Sequence, residues 1–354
     1  MPTDFKALAE LCEKVENTSK RNLMVKMVAD FLKSLEPSEI EPAVSMILGR
    51  PLPRGSEYKL NINWTAISKI IRRLAGISWS EFVTVLNKTG DVGSAVKEIL
   101  EKSKVRKQAL LLQNPLTIME VKRRFEAISE SAGQGSRGKK ERLLESLLSI
   151  TSPLEAKYLV KILIGEMRTG FHEGLMEQAL SEAFQISLNV IQNASMVLGD
   201  VAYVAAIARL KGKDALLNLG FRIFRPIKPM LAQMAEDVAE ALKEHGGKTA
   251  FEYKLDGARV QIHKKGNAVK IFSRRLTDVT ESLPDVTRFI KVNVKAEEAI
   301  LEGEVIAVDK DERPMAFQHL MRRFKRVRDV EAMTQAIPVR LYFFDIIYLN
   351  GENL

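Results

Sequence analysis

Phe251-Glu252-Tyr253-Lys254-Leu255-Asp256-Gly257-Ala258-Arg259 reads as two short strands around a tight Asp-Gly turn. Side chains alternate across a strand, so Phe251, Tyr253 and Leu255 point one way and Glu252, Lys254 and Asp256 the other. The second strand, Ala258 to His263, sets Ala258, Val260 and Ile262 against Arg259, Gln261 and His263. One face is expected to be core. The other carries a lysine among carboxylates and an arginine, a pattern that an ordinary solvated strand also produces.

Strand signals continue outward from this stretch. Lys264-Lys265-Gly266-Asn267 looks like a hairpin turn between Val260–His263 and Ala268–Ser273. Ala299–Val308 and Val339–Leu349 are further strands, the latter apolar on both faces as in a buried sheet. Between them, Phe317, Leu320, Met321, Phe324 and Val327 line one side of a helix, with Arg322, Arg323, Lys325, Arg326 and Arg328 on the other. That basic side suits a solvated face or a contact with DNA or a partner equally well. Val238 to Glu244 is a short helix ahead of the strands.

Before Arg225-Pro226-Ile227-Lys228-Pro229 the character is helical throughout, and its two prolines suit an extended linker. Phe5, Leu8, Ala9, Cys12 and Val15 follow the helical period, as do Met24, Met27, Val28, Phe31 and Leu32, with Ser19 or Thr18 as a cap for the second helix. Trp64 to Leu74, with Gly76 just past it, Glu81 to Leu86, Val92 to Leu100, Ile118 to Ile128 and Lys140 to Leu148 continue the series. Residues 131–138, Ser-Ala-Gly-Gln-Gly-Ser-Arg-Gly, form a basic loop.

The chain has 354 residues, enough for two or three domains with their own cores. Its single cysteine, Cys12, rules out an intrachain disulfide and suits a reducing compartment. No signal-peptide pattern opens it, and the apolar run Val201 to Ala208 is too short to span a bilayer. A cytoplasmic location is expected, or a nuclear one where a nucleus exists. One cysteine and four histidines give no zinc-ligand spacing. Net charge is +9 and lies almost wholly in residues 1–225, where 33 Lys and Arg face 25 Asp and Glu. Lys102, Lys104, Arg106, Lys107, Lys122, Arg123 and Arg124 concentrate it. A basic excess of this kind favours a polyanionic partner.

Lys254 to Arg259 resembles K-x-D-G-x-R, the first signature of the covalent nucleotidyltransferases: DNA ligases, RNA ligases and mRNA capping enzymes. In that superfamily the lysine attacks the α-phosphate of a nucleotide and holds it as a phosphoramidate, and Lys254 is the matching residue. Ser273-Arg274 resembles the second signature, whose arginine contacts the nucleotide. Leu301-Glu302-Gly303-Glu304-Val305 resembles the third, with Glu304 matching an acidic residue that contacts ribose or helps hold metal. Residues 342–351 resemble the next, with Phe344 matching a phenylalanine that stacks on adenine. Glu252 matches the position that reads the adenine edge, and Arg259 completes the lysine signature at the nucleotide.

Gly165-Glu166-Met167-Arg168-Thr169-Gly170 resembles a duplex-gripping segment of archaeal and eukaryotic ATP-dependent DNA ligases, which implies DNA contacts at Arg168 and Gly170. Lys228-Pro229-Met230-Leu231-Ala232 resembles the stretch leading into their adenylation domain. The likeness runs in order along nearly the whole chain. It implies an all-α DNA-binding domain over 1–225 and an α+β adenylation domain over 226–354. ATP and Mg2+ are the implied cofactors, nicked double-stranded DNA the implied partner, and a sliding clamp a further partner that family members commonly use. A membrane partner is not expected.

The implied chemistry has three steps: Lys254 takes AMP from ATP, AMP passes to the 5′-phosphate of a nick, and the 3′-hydroxyl displaces AMP. An ammonium is no nucleophile, so Lys254 must lose a proton; Arg259, Arg274 and bound metal favour the neutral amine, and Asp256 opposes it. The family pattern continues beyond the phenylalanine signature with a glutamate-bearing strand, a lysine-rich strand and an OB-fold domain. None of these occurs before Leu354. The expectation is an adenylation domain incomplete at its C-terminus, in a piece of a ligase unable to seal nicks alone. An RNA ligase or capping enzyme, and an inert DNA-binding module, are the competing readings.

Overall fold

In the computed structural model, residues 2–52, 60, 62–103, 115–133, 135–230, 234–324 and 330–354 are described. Lys104, Arg106, Lys107, Gln134, Leu231, Ala232, Lys325, Arg326, Val327 and Arg328, all named above, lie outside them. The chain divides into two compact units: Met1–Ser195 with Asp200–Asn218, and Met196–Gly199 with Leu219–Leu354.

The first unit is helical among the described residues. Its helices are α1 (Phe5–Glu16), α2 (Arg21–Ser34), α3 (Ile40–Ile47), α4 (Trp64–Ala75), α5 (Trp79–Thr89), α6 (Val92–Lys102), α7 (Ile118–Glu130) and α8 (Ser136–Ser149). Next come α9 (Pro153–Ile164), α10 (Glu173–Phe184), α11 (Leu188–Leu198) and α12 (Val201–Leu217). Several begin at a side-chain cap. Ser152 and Glu155 form a reciprocal capping box around Pro153 at the start of α9, and Ser78 with Glu81 does the same for α5. Such a cap stabilises a helix by about 1 kcal/mol.

Two expected boundaries move. Lys20, not Thr18 or Ser19, precedes α2, and the Thr18 hydroxyl accepts a bond from the Lys20 N–H instead. The basic loop is shorter than 131–138 because Ser136, Arg137 and Gly138 already belong to α8.

Helix α9 is buried from Glu155 to Ile162, including two lysines. Lys157 meets Glu13 at 2.6 Å and Glu16 at 3.2 Å, and Lys161 meets Glu16 at 3.0 Å and Asp91 at 3.3 Å. The Tyr158 hydroxyl lies 2.7 Å from both Glu13 and Glu16. Buried ammonium groups are tolerable only when paired in this way. Gly93 on α6 is what lets α9 come close, since a Cβ there would lie 2.7 Å from Lys161 Cε.

In the second unit a five-stranded antiparallel sheet runs in the order β2-β1-β3-β4-β5. The strands are β1 (Ala258–Lys265), β2 (Ala268–Ser273), β3 (Glu298–Ala307), β4 (Val339–Leu349) and the short β5 (Glu352–Asn353). Helices α13 (Val238–Glu244), α14 (Pro284–Asn293), α15 (Phe317–Phe324) and α16 (Val330–Ala336) accompany it. Strand alternation gives the sheet one apolar face, where Val260, Ile262, Ile271 and Val305 pack with Val286, Ile290 and Leu320 from the helices.

Three expectations fail here. The segment 251–255 is not a strand; Phe251 and Tyr253 are exposed, at 70% and 95%. Strand β1 is paired with β3 from Ala258 and with β2 from Val260, so only Ala258 and Arg259 keep a free edge, too little for a hairpin across Asp256-Gly257. Strand β4 is apolar but not buried: Tyr342, Phe343, Phe344 and Ile346 are all exposed, and β5 pairs with only its last two residues. Finally, Arg323 is 1% exposed, not part of a basic outer face. Its guanidinium pairs with Asp285 and donates to the carbonyl oxygens of Ser282 and Ile337, tying α15 to α14 and to the end of α16.

Candidate active site

The polar face of the sheet gathers side chains from β1 and β3 in direct register. Arg259 lies opposite Glu304 and Gln261 opposite Glu302. On the preceding run, Glu252 and Lys254 are exposed, and Gly257 delivers the chain into β1. A Cβ on Gly257 would fall 2.4 Å from the Val305 carbonyl oxygen and 2.9 Å from Glu304 Cγ, so only glycine allows this approach.

Glu304 is the electrostatic centre. Burial pushes its carboxyl above the usual range, and Arg259, Lys254, the Gly257 N–H and Arg274 each pull it back. Three cations expected at the site from sequence, Lys254, Arg259 and Arg274, therefore act on the carboxylate of the fourth group, Glu304. Arg274 is exposed in the turn after β2, closed by the Leu276 N–H donating to the Ser273 carbonyl at 2.8 Å.

Phe344 arrives by a backbone irregularity. Glu302 pairs with Asp345 and Gly303 with Phe343, which leaves Phe344 as an extra residue on β4. A bulge of this kind re-aims the inserted side chain. The Phe344 ring lies 5.2 Å from the Arg259 guanidinium carbon, with 43% of the residue still exposed. Arg259 also pairs with Glu302, while its buried Nε has no hydrogen-bond partner among the described residues.

Sequence reasoning did not assign Glu302, Gln261 or His263 to the site, although alternation had already put Gln261 and His263 on the Arg259 face. All three are buried, at 3%, 4% and 0% exposure. Gln261 donates to Glu302 at 2.9 Å, and His263 Nε2 lies 2.9 Å from the Gln261 amide oxygen. Burial pushes the His263 imidazole down to about 4, so it stays neutral at ordinary pH.

The family model described as DNA ligase N terminus matches residues 4–181, and the one described as ATP dependent DNA ligase domain matches residues 229–354. The chain belongs to the ATP-dependent DNA ligases. A DNA ligase of Thermococcus onnurineus is 40% identical over 350 residues, covering 99% of this chain and 62% of that protein. DNA ligase 1 of Korarchaeum cryptofilum is 41% identical over 350 residues, covering 99% and 61%. The chain thus spans a little over three-fifths of the length of these ligases. Among solved structures, the ligase domain of LigD from M. tuberculosis matches 29% of this chain and 30% of that one at 27% identity, with a TM-score of 0.24.

The ligase N-terminal region carries Arg168 and Gly170 in the turn between α9 and α10. Both have positive φ, 51° and 70°. Arg168 donates to the Gly90 carbonyl at 3.0 Å and meets Glu166 at 3.2 Å, yet its side chain remains 56% exposed. Several basic residues counted above are paired locally: Lys102 with Glu98, Lys122 with Glu126, and Arg123 and Arg124 sharing Glu120. Among the described residues no helix is long and apolar enough to cross a membrane.

Proposed function

We propose that Lys254 is the nucleophile of an ATP-dependent ligation reaction on nicked duplex DNA. Its neutral amine attacks the α-phosphorus of ATP, the bond to pyrophosphate breaks, and the amine proton leaves to solvent. AMP then passes from Lys254 Nζ to the 5′-phosphate of a nick, and the 3′-hydroxyl displaces AMP as the phosphodiester forms. The observation that carries this reading is the register that sets Arg259 opposite Glu304 and against Phe344, with Gly257 packed on Glu304 just after Lys254.

The residues fit a nucleotide. The Arg259 side chain, 31% exposed, lies beside a half-exposed aromatic ring, so phosphate or ribose oxygens and the adenine face find a guanidinium and a stacking surface together. Glu252 is assigned to the adenine edge and Phe344 to its face. Magnesium, in this reading, takes Glu304 as its protein ligand and neutralises phosphate charge when bound. Magnesium takes few protein ligands when substrate phosphates and water complete its shell.

Arg168 and Gly170 are assigned to the DNA backbone. Phosphate contacts position a duplex without reading its sequence, as nick joining requires. No surface among the described residues is assigned to a sliding clamp.

Intact mass after incubation with ATP and Mg2+ tests the nucleophile. The expected result is a gain of one AMP that is absent from Lys254→Ala. An adduct that persists in Lys254→Ala overturns the assignment. For the DNA contact, Arg168→Ala should weaken binding of nicked duplexes of any sequence and lower the salt slope by about one.

A further inference from the structure

The Gln261 side chain makes every hydrogen bond a primary amide can make. Its oxygen accepts from the Ile227 N–H at 2.7 Å and from His263 Nε2 at 2.9 Å. Its nitrogen donates to the Ile227 carbonyl at 3.1 Å and to Glu302 Oε1 at 2.9 Å. Two donors and two acceptors are thereby spent, and a flipped amide would meet an N–H with its own N–H. The His263 tautomer follows too: Nδ1 accepts from the Phe224 N–H at 3.0 Å, so the proton sits on Nε2.

Beyond Gln261 the chain of bonds leads to the proposed nucleotide site. Glu302 keeps one carboxylate oxygen on Gln261 and the other on Arg259. Arg259 in turn lies against Phe344. Arg259 is the only member of this series with its own contact to the proposed ligand surface. Gln261, at the other end, is buried, with its hydrogen bonds going to Ile227, His263 and Glu302.

We propose that Gln261 is a positioning residue for ATP, acting through Glu302 to hold the Arg259 guanidinium against Phe344. The inference rests on the nucleotide-site reading given above. Without the Gln261 N–H, Glu302 is a buried carboxylate with one partner in place of two, free to turn about its own side-chain bonds. Arg259 then loses its fixed aim. The geometry of the pair, and not only its charge, depends on the amide.

The test is equilibrium binding of ATP with Mg2+ to the chain carrying Lys254→Ala, where transfer cannot follow binding. Gln261→Leu should weaken binding roughly tenfold, the size of one lost bond to a charged group. Glu302→Gln, which leaves the Gln261, Ile227 and His263 bonds in place, should weaken it by a similar factor and guards against a folding defect in Gln261→Leu. Each change is then repeated in an Arg259→Ala background. Action through Arg259 requires that neither costs anything further there. A merely structural role instead gives losses that add, and additive losses with binding intact would sink the inference while leaving the site. Absence of ATP binding by the Lys254→Ala chain itself would overturn the nucleotide-site reading, and this inference with it.

Discussion

The Arg259 guanidinium stands 5.2 Å from the Phe344 ring centroid while pairing, on its other side, with buried Glu302. A cation over one face of an aromatic ring leaves the opposite face to a planar base. Phe344→Leu keeps the apolar strand and removes the stacking surface. It should cost roughly 1–3 kcal/mol of ATP affinity, the range for base–aromatic stacking. Titration of ATP into Lys254→Ala with and without Phe344→Leu measures it, and equal affinities would remove Phe344 from the site.

Glu304→Gln should separate stability from activity. The folded carboxyl is raised above its ordinary value chiefly by burial, so its contribution to stability is present below the unfolded pKa and is lost as pH rises through the folded one. The charged form therefore opposes folding at neutral pH, and the glutamine removes that penalty. The variant should melt with the parent at pH 4 and above it at pH 7, while AMP transfer to Lys254 falls. Equal melting temperatures at both values would contradict the electrostatic account.

The helical unit should weaken in acid through Glu13. Burial would raise this carboxyl, but bonds from Lys157, Tyr158 and Lys97 outweigh it and bring it down to about 2. A depressed folded pKa contributes stability above the unfolded value and loses it as pH falls toward the folded one. Helical circular dichroism should thus show stability declining from pH 4.5 to 2. Glu13→Gln should be less stable at pH 7 and lose less over that interval. A parallel decline in both proteins would place the acid sensitivity elsewhere.

Arg323→Met should damage the sheet unit alone. The substitution strands Asp285 and two carbonyl oxygens that the guanidinium satisfies. Breaking a fully buried pair on one side costs about 3–5 kcal/mol, and the loss here should fall below that because Asp285 stays 30% exposed. Arg323→Lys should rescue little, because a single ammonium cannot reproduce the guanidinium fork. Calorimetry that resolves two transitions should show one lowered and the other, from the helical unit, unmoved.

Helices announced themselves through caps and apolar period, so α13 and the cores of α1, α4, α6 and α7 stand where periodicity puts them. Strands β2 and β4 likewise match their apolar runs, because β-branched and aromatic residues bounded by turn residues leave little else to form. What alternation cannot tell is which edges a strand has free. That is why 251–255 reads as a strand and is not one, and why β4 reads as buried and is not. Arg323 fails differently: a basic residue among arginines has the pattern of a surface, and it is drawn inside by Asp285 and the Ser282 and Ile337 carbonyls. Of the proposed site, Lys254, Arg259, Arg274, Glu304 and Phe344 are each named from motif. The bulge that delivers Phe344, and the polar chain behind Arg259, depend on pairing between distant strands and are not.

The bonds from His263 and Gln261 to Phe224 and Ile227 turn the stretch 224–227 into a gauge and not a tether. Two side chains on one rigid strand fix how much backbone separates their partners. One added residue shifts the chain by about 3.4 Å if extended, beyond what a hydrogen bond spans. Spacers or fusion joints placed within 224–227 should therefore disturb chemistry at Lys254 from a distance.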